Sequence, residues 1–172
     1  VLITGSCGFI GFSLSKSLLK KGYSVIGIDN FSDFYDVNLK IKRNKLLEHK
    51  NYSFLNLSLN DLDNLKVDNI DLAINLAAQP GVRVSKEKQH LYMETNVKGF
   101  ISFCNFCEKN LITKIIYASS SSVYSDLHIG KYCEDSTKLE PKSEYGVSKL
   151  KNEIYAEEFS RNTKSNMIGL RF

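Results

Sequence analysis

The 172-residue sequence contains no tryptophan, two prolines and three histidines. With so few prolines, enforced chain breaks are rare and the interior is not dominated by loops. Histidines this scarce, with cysteines that form a single CxxC pair, leave no complete zinc-ligand set, and nothing in the sequence calls for a metal. The cysteines are Cys7, Cys104, Cys107 and Cys133. Cys104 and Cys107 lie in Ile101-Ser102-Phe103-Cys104-Asn105-Phe106-Cys107, which reads as a buried helix, so ordinary core thiols in a reduced, cytoplasmic protein are expected. No apolar run approaches the ~20 residues of a membrane-spanning helix. The net charge of +4 is too small for the usual footprint of a nucleic-acid binder. The one basic cluster, Lys40, Lys42, Arg43 and Lys45, reads as a solvated helix face.

What is present is a regular alternation. Short apolar runs at 1–4, 24–28, 52–57, 71–76, 114–118 and 166–172 read as strands. Longer stretches with helical periodicity lie near 9–21, 38–49, 89–108 and 143–161. Such βα alternation implies an α/β fold, a doubly wound parallel sheet covered by helices on both faces. The run Leu72-Ala73-Ile74-Asn75-Leu76 suits a strand buried on both sides. The longest irregular stretch, 121–142, has the length of a functional loop. Val1 already lies inside an apolar run and Phe172 closes another, so a piece of a longer protein, cut at both ends, is expected.

The first strand runs directly into Gly5-Ser6-Cys7-Gly8-Phe9-Ile10-Gly11, which opens the first helix. Glycines at this GxxGxxG spacing allow a tight turn and a close approach of backbone N–H groups to a pyrophosphate. The helix N-terminus adds free donors and partial positive charge. Asp29 ends the second strand, 18 residues after Gly11. A carboxylate there accepts the adenosine ribose hydroxyls and repels a 2′-phosphate, which favours NAD over NADP. Ala77 and Ala78 follow the fourth strand and leave room for a flat ring; Ser120 follows the fifth. All these positions fall at strand carboxyl ends, where open α/β sheets bind ligands.

Tyr145-Gly146-Val147-Ser148-Lys149 puts a phenol and an ammonium at i and i+4 of a helix, on one face. A tyrosine near its ordinary pKa of about 10 is a weak base at neutral pH, and a nearby cation favours its phenolate. Lys149 could also hold a nicotinamide ribose. The run Ser119-Ser120-Ser121-Ser122 at a strand end is not explained by β-propensity, and Ser120 could share a substrate proton.

Taken together, Gly5-x-x-Gly8-x-x-Gly11, Asp29-Asn30, Ala118-Ser119-Ser120-Ser121-Ser122-Val123-Tyr124 and Tyr145-x-x-x-Lys149 resemble the extended short-chain dehydrogenase/reductase family, in its NAD-dependent epimerase/dehydratase group. Asp33-Phe34-Tyr35-Asp36-Val37-Asn38-Leu39-Lys40 and Ala77-Ala78-Gln79-Pro80-Gly81-Val82-Arg83-Val84-Ser85 resemble its UDP-glucuronate 4-epimerase branch. The resemblance spans the whole chain. It implies that residues 1–172 form a Rossmann-type NAD-binding domain, that the C-terminal substrate domain is missing, and that this length alone is inactive. It implies NAD contacts at Gly5, Gly8, Phe9, Ile10, Gly11, Asp29, Asn30, Ala77, Ala78, Asn96, Tyr145 and Lys149. Ser120, Tyr145 and Lys149 are the implied catalytic residues, with Tyr145 as base. A UDP-sugar, UDP-glucuronate foremost, is the implied partner, met by Arg83, Ser120, Ser121, Ser122 and Tyr145; the planar fork of Arg83 suits a carboxylate. The implied reaction is C4 epimerisation through transient oxidation. A homodimer through the helices near 89–108 and 143–161 is also implied.

Three positions depart from the family pattern. Ser58 stands where an aspartate commonly contacts adenine, Asn75 replaces a histidine, and Ser125 replaces a glycine. A 4,6-dehydratase is the nearest alternative, but its Asp-Glu pair is replaced here by Ser121 and Ser122. Another NAD-dependent nucleotide-sugar oxidoreductase stays open. So does a non-catalytic NAD sensor or scaffold, although such a protein has little use for the Tyr–Lys pair kept here.

Overall fold

A computed structural model describes residues 1–81, 87, 89–124, 132–135 and 139–172. Six strands, β1 (Leu2–Thr4), β2 (Val25–Asp29), β3 (Tyr52–Asn56), β4 (Ala73–Asn75), β5 (Lys114–Ser119) and β6 (Asn166–Arg171), form one sheet. Every pairing is parallel and the order is β3-β2-β1-β4-β5-β6. The sheet is the doubly wound one expected from the alternation. Its order reverses at β1, which pairs with β2 on one side and β4 on the other, and a ligand crevice belongs at that switch point.

Successive strand residues serve opposite faces, as the two-residue period requires. Leu2 and Ala73 join a core with Phe100, Phe103, Phe106 and Phe159, while Ile3 and Ile74 join Leu19, Val25 and Leu47 on the other side. The helices supplying these faces are α1 (Phe9–Lys20) on one side and α3 (Gly99–Lys109) and α4 (Glu144–Thr163) on the other, while α2 (Val37–Lys45) contributes no side chain to either cluster. Cys104 and Cys107 are fully buried in the α3 core and Cys7 in the first turn, as free thiols. The connection from β3 also contains a 3₁₀ turn, Leu59–Asn64, which the apolar pattern does not announce; Leu59 and Leu62 plug it into the core.

The helical stretch expected over 89–108 divides into two. Tyr92–Lys98 winds as a π-helix and continues into α3. A π segment widens the turn and re-aims the side chains it carries, and such segments concentrate at functional sites. Among the described residues no helix is long and apolar enough to cross a membrane.

Candidate active site

A cleft of about 780 Å³ opens along the carboxyl ends of the strands. Its floor is the turn after β1. Gly5 has φ +69°, and a Cβ at Gly11 would stand 2.1 Å from the Gly5 carbonyl oxygen, so side chains at these positions are excluded by the turn itself. Gly8 caps α1 and no side chain occupies that cap, which leaves the first-turn N–H groups available to an anion. Gly5, Gly8, Phe9, Ile10 and Gly11 all line the cleft, as do Ala77 and Ala78 across the switch point.

Asp29 and Asn30 line the cleft beyond the turn. The Asp29 carboxylate accepts hydrogen bonds from the backbone N–H of Cys7 at 3.1 Å and of Phe31 at 2.9 Å. It therefore ties β2 to the glycine turn besides facing the cleft. Lys40 sits 3.8 Å from the same carboxylate and donates to the Ser32 carbonyl at 2.9 Å. Arg43 reaches the Cys7 carbonyl at 3.4 Å. Both basic side chains line the cleft, which corrects the expectation of a wholly solvated face: Lys42 and Lys45 are exposed, whereas Lys40 is buried. The i, i+3 spacing of Lys40 and Arg43 put both on the inner side of α2.

The serine, tyrosine and lysine converge at the other end of the cleft. Ser143 caps α4 by accepting from the Gly146 N–H at 3.0 Å. That cap starts the helix so that its first turns present Tyr145 and Lys149 to the end of β5. Tyr145 and Ser120 line the cleft together, and the Lys149 ammonium donates to the Ala118 carbonyl at 2.8 Å. Burial raises the Tyr145 phenol above its ordinary pKa; the Ser120 hydroxyl beside it acts in the opposite direction, and nearby Tyr35 adds to the rise. Lys149 is 2% exposed, and desolvation lowers its ammonium to about 8. Its nitrogen lies 5.9 Å from the centre of the Tyr145 ring.

Gly146, passed over in the sequence reading, makes this convergence feasible. A Cβ there would lie 2.4 Å from the Ser122 carbonyl oxygen, so only glycine lets α4 approach the serine turn this closely. Tyr92 was also not anticipated. Its ring meets Tyr145 edge-on at 6.0 Å, and its hydroxyl donates to the Gly81 carbonyl. Hydroxyl partners of this kind depend on three-dimensional packing and leave no local sequence signal.

Asn96 is 1% exposed and does not line the cleft. Its Oδ1 accepts from the Gln79 N–H at 2.7 Å, and its Nδ2 donates to the Gln79 carbonyl at 3.2 Å and to Ser148 Oγ at 3.0 Å. It therefore holds the loop after β4 against α4, beside Lys149. Ser121 and Ser122 likewise fall outside the cleft lining: the Ser122 N–H donates to Ser120 Oγ at 3.1 Å and Ser121 is exposed. The strand ends by curling into a 3₁₀ turn over these residues. Arg83 and Ser125 lie outside the described residues.

Comparison with known proteins places the chain. The model of the NAD dependent epimerase/dehydratase family matches residues 1–172, the full length. The chain belongs to that family. An uncharacterised protein of Methanocaldococcus jannaschii is 41% identical, with 100% of this chain and 55% of the relative covered. UDP-glucuronate 4-epimerase 4 of Arabidopsis thaliana is 35% identical over 100% of this chain and 40% of its own length. Among solved structures, the UDP-glucuronic acid 4-epimerase of Bacillus cereus in complex with UDP-glucuronic acid and NAD superposes with a TM-score of 0.89 at 34% identity, covering 99% of this chain and 55% of that one. The chain thus spans about half the length of the relatives it matches.

NAD is the cofactor of this epimerase/dehydratase family, and the described residues suit it. The glycine cradle would be filled by any Cβ, the α1 terminus is uncapped, and a buried carboxylate stands at the end of β2. Two departures from the family pattern have structural consequences. Ser58 lines the cleft and brings no carboxylate to it. Asn75 accepts from Thr4 Oγ1 at 2.5 Å, a bond that staples β4 to β1 at the switch point.

Proposed function

We propose that the whole protein is a NAD-dependent nucleotide-sugar 4-epimerase acting on a UDP-sugar, UDP-glucuronate by preference, and that residues 1–172 are its NAD-binding domain. The observation that carries this reading is the meeting of Tyr145, Ser120 and Lys149 on the wall of the cleft floored by the glycine turn. An acid–base group and a dinucleotide cradle share one cavity, which suits oxidation of an alcohol. When bound, NAD supplies the reversible hydride acceptor for the sugar C4 carbon.

The chain's own residues supply the rest. Gly5, Gly8, Phe9, Ile10 and Gly11 receive the pyrophosphate, Asp29 and Asn30 the adenosine ribose, and Ala77 and Ala78 leave space along the dinucleotide. Tyr145, as phenolate, accepts the proton of the 4-hydroxyl; Ser120 hydrogen-bonds the same oxygen and fixes its direction. Lys149 contributes positive charge beneath the phenol and a donor for the nicotinamide ribose. After the sugar turns over, return of the hydride to the other face of C4 together with the proton from Tyr145 would give the C4 epimer, so acid and base are one group in two states. Arg83 is assigned to the substrate carboxylate.

The part of the relatives that this chain does not span completes the sugar pocket in this reading, and the 172-residue length alone is inactive. The assembly is a homodimer through the π-helix, α3 and α4, and the protein is cytoplasmic. The test uses the full-length protein with UDP-glucuronate, UDP-glucose and UDP-N-acetylglucosamine, without added NAD. The expected product is the C4 epimer of UDP-glucuronate, and Tyr145→Phe abolishes turnover while NAD remains bound. Full activity in that variant would refute the base assignment.

A further inference from the structure

Behind the wall of the cleft lies an ion pair that the chemistry above does not use. Glu153 follows Tyr145 by eight residues on α4, so Tyr145, Lys149 and Glu153 recur at every fourth position and share a helix face. Each meets a different one of three consecutive residues at the end of β5. Tyr145 faces Ser120 in the cleft, Lys149 bonds the Ala118 carbonyl, and Glu153 Oε1 accepts from the Ser119 hydroxyl.

Glu153 is itself gripped from β6. Arg171 donates from Nε to Oε1 at 3.0 Å and from Nη2 to Oε2 at 2.9 Å, a planar two-bond fork. Its remaining nitrogen, Nη1, donates to the Tyr124 hydroxyl at 3.0 Å and the Glu134 carbonyl at 3.2 Å. The guanidinium also lies 4.9 Å from the centre of the Tyr124 ring. The side chains of Arg171 and Glu153 are 18% and 14% exposed, so solvent screens the pair less than it screens a surface salt bridge. Ser120 sits in a short turn bounded by Ser119 on one side and Tyr124 on the other. Both boundaries end on this one pair.

We propose that Glu153 and Arg171 are positioning residues that hold the Ser120 turn beside Tyr145. The proposal rests on the reading of Tyr145 as the base. Its physical content is that α4 and the end of β5 are tied at Ala118 and Ser119, the two residues before Ser120, and the Glu153–Arg171 lock also secures the strand beyond. Releasing that lock lets the serine drift while the helix remains formed.

The experiment compares full-length Glu153→Gln, Arg171→Lys and Ser119→Ala with the parent, recording kcat and KM for the UDP-sugar across pH and thermal unfolding. Ser119→Ala removes one hydroxyl and no charge, so it remains informative if a charge variant fails to fold. The groups facing Tyr145 are Ser120, Tyr35, Tyr92 and Lys149, and none is altered in these variants. The expected result is a fall in kcat of up to about 100-fold with KM little changed. The acidic limb of the kcat profile moves up by roughly one pH unit, because a displaced Ser120 hydroxyl no longer favours the phenolate. A loss of rate matched by loss of folded protein, with that limb unmoved, would overturn the proposal. A fully active Tyr145→Phe would instead bring down the base assignment beneath it.

Discussion

The Lys149 ammonium donates to the Ala118 carbonyl at 2.8 Å, two residues before the serine that shares the cleft wall with Tyr145. One contact thereby fixes where a buried cation stands and how far α4 has slid along the end of β5. The carbonyl is a neutral partner, and desolvation still lowers the lysine to about 8. The site holds its cation at an energetic cost near neutral pH.

That cost gives a pH signature. Below about 8, Lys149 is protonated in folded and unfolded chains alike. Between about 8 and the ordinary 10.5, the unfolded chain carries a proton that the folded chain has released. The stability contributed by this site therefore rises with pH across that window. Denaturant unfolding of the parent and Lys149→Met on both sides of the window is expected to show this rise in the parent and its loss in the variant.

Gly146→Ala tests the close approach of α4. The added methyl would stand 2.4 Å from the Ser122 carbonyl oxygen, and backbone cannot yield as a side-chain tip can. A destabilisation of roughly 1–3 kcal/mol is expected from overpacking. Turnover of the full-length protein is expected to fall further than the loss of folded protein explains, since the helix must move away from Ser120. Thermal unfolding and steady-state rates on the same samples check both.

Asp29→Ala tests the dinucleotide preference. The carboxylate offsets Lys40 and faces the cleft with it; its removal leaves Lys40 and Arg43 lining the same space. NAD binding is expected to weaken by roughly tenfold, and NADP to gain relative to NAD through its 2′-phosphate. Calorimetric titration of the apoprotein with each dinucleotide measures the ratio. An unchanged ratio would remove the ribose role from Asp29.

Asn96→Ala removes three hydrogen bonds and leaves the buried Gln79 backbone amide and carbonyl without the partners they have here. Each buried group left unpaired costs about 1–3 kcal/mol. Lower unfolding free energy and faster hydrogen exchange at the Gln79 N–H are expected, with the exchange effect centred on the loop after β4.

The dinucleotide end of the site was readable along the chain because its requirements are local. A tight turn needs Gly5 and Gly11 where they stand, and an acidic residue ends the next strand. The family motifs likewise located Tyr145, Lys149 and Ser120. Lys40 and Arg43 were misread because helical periodicity shows which residues share a face, not which neighbour that face meets. The bonds of Asn96 to Gln79 and Ser148 join residues far apart in sequence, which no local pattern announces. The strand after Ser119 ends in a 3₁₀ turn, a change of winding that four serines in a row do not encode. Tyr92 and Gly146 act through partners distant in sequence, which no local pattern identifies.

By itself the amino-acid order determined the strand–helix alternation, the parallel sheet, the glycine cradle and the family, because each follows from short-range periodicity, backbone freedom or a compact motif. The tertiary structure alone decided which charges enter the cleft, where the long helix becomes a π-helix, and how α4 locks onto the end of β5. Those outcomes depend on the desolvation of particular groups and on hydrogen bonds between residues far apart in the chain. Such interactions exist only once the layers have packed.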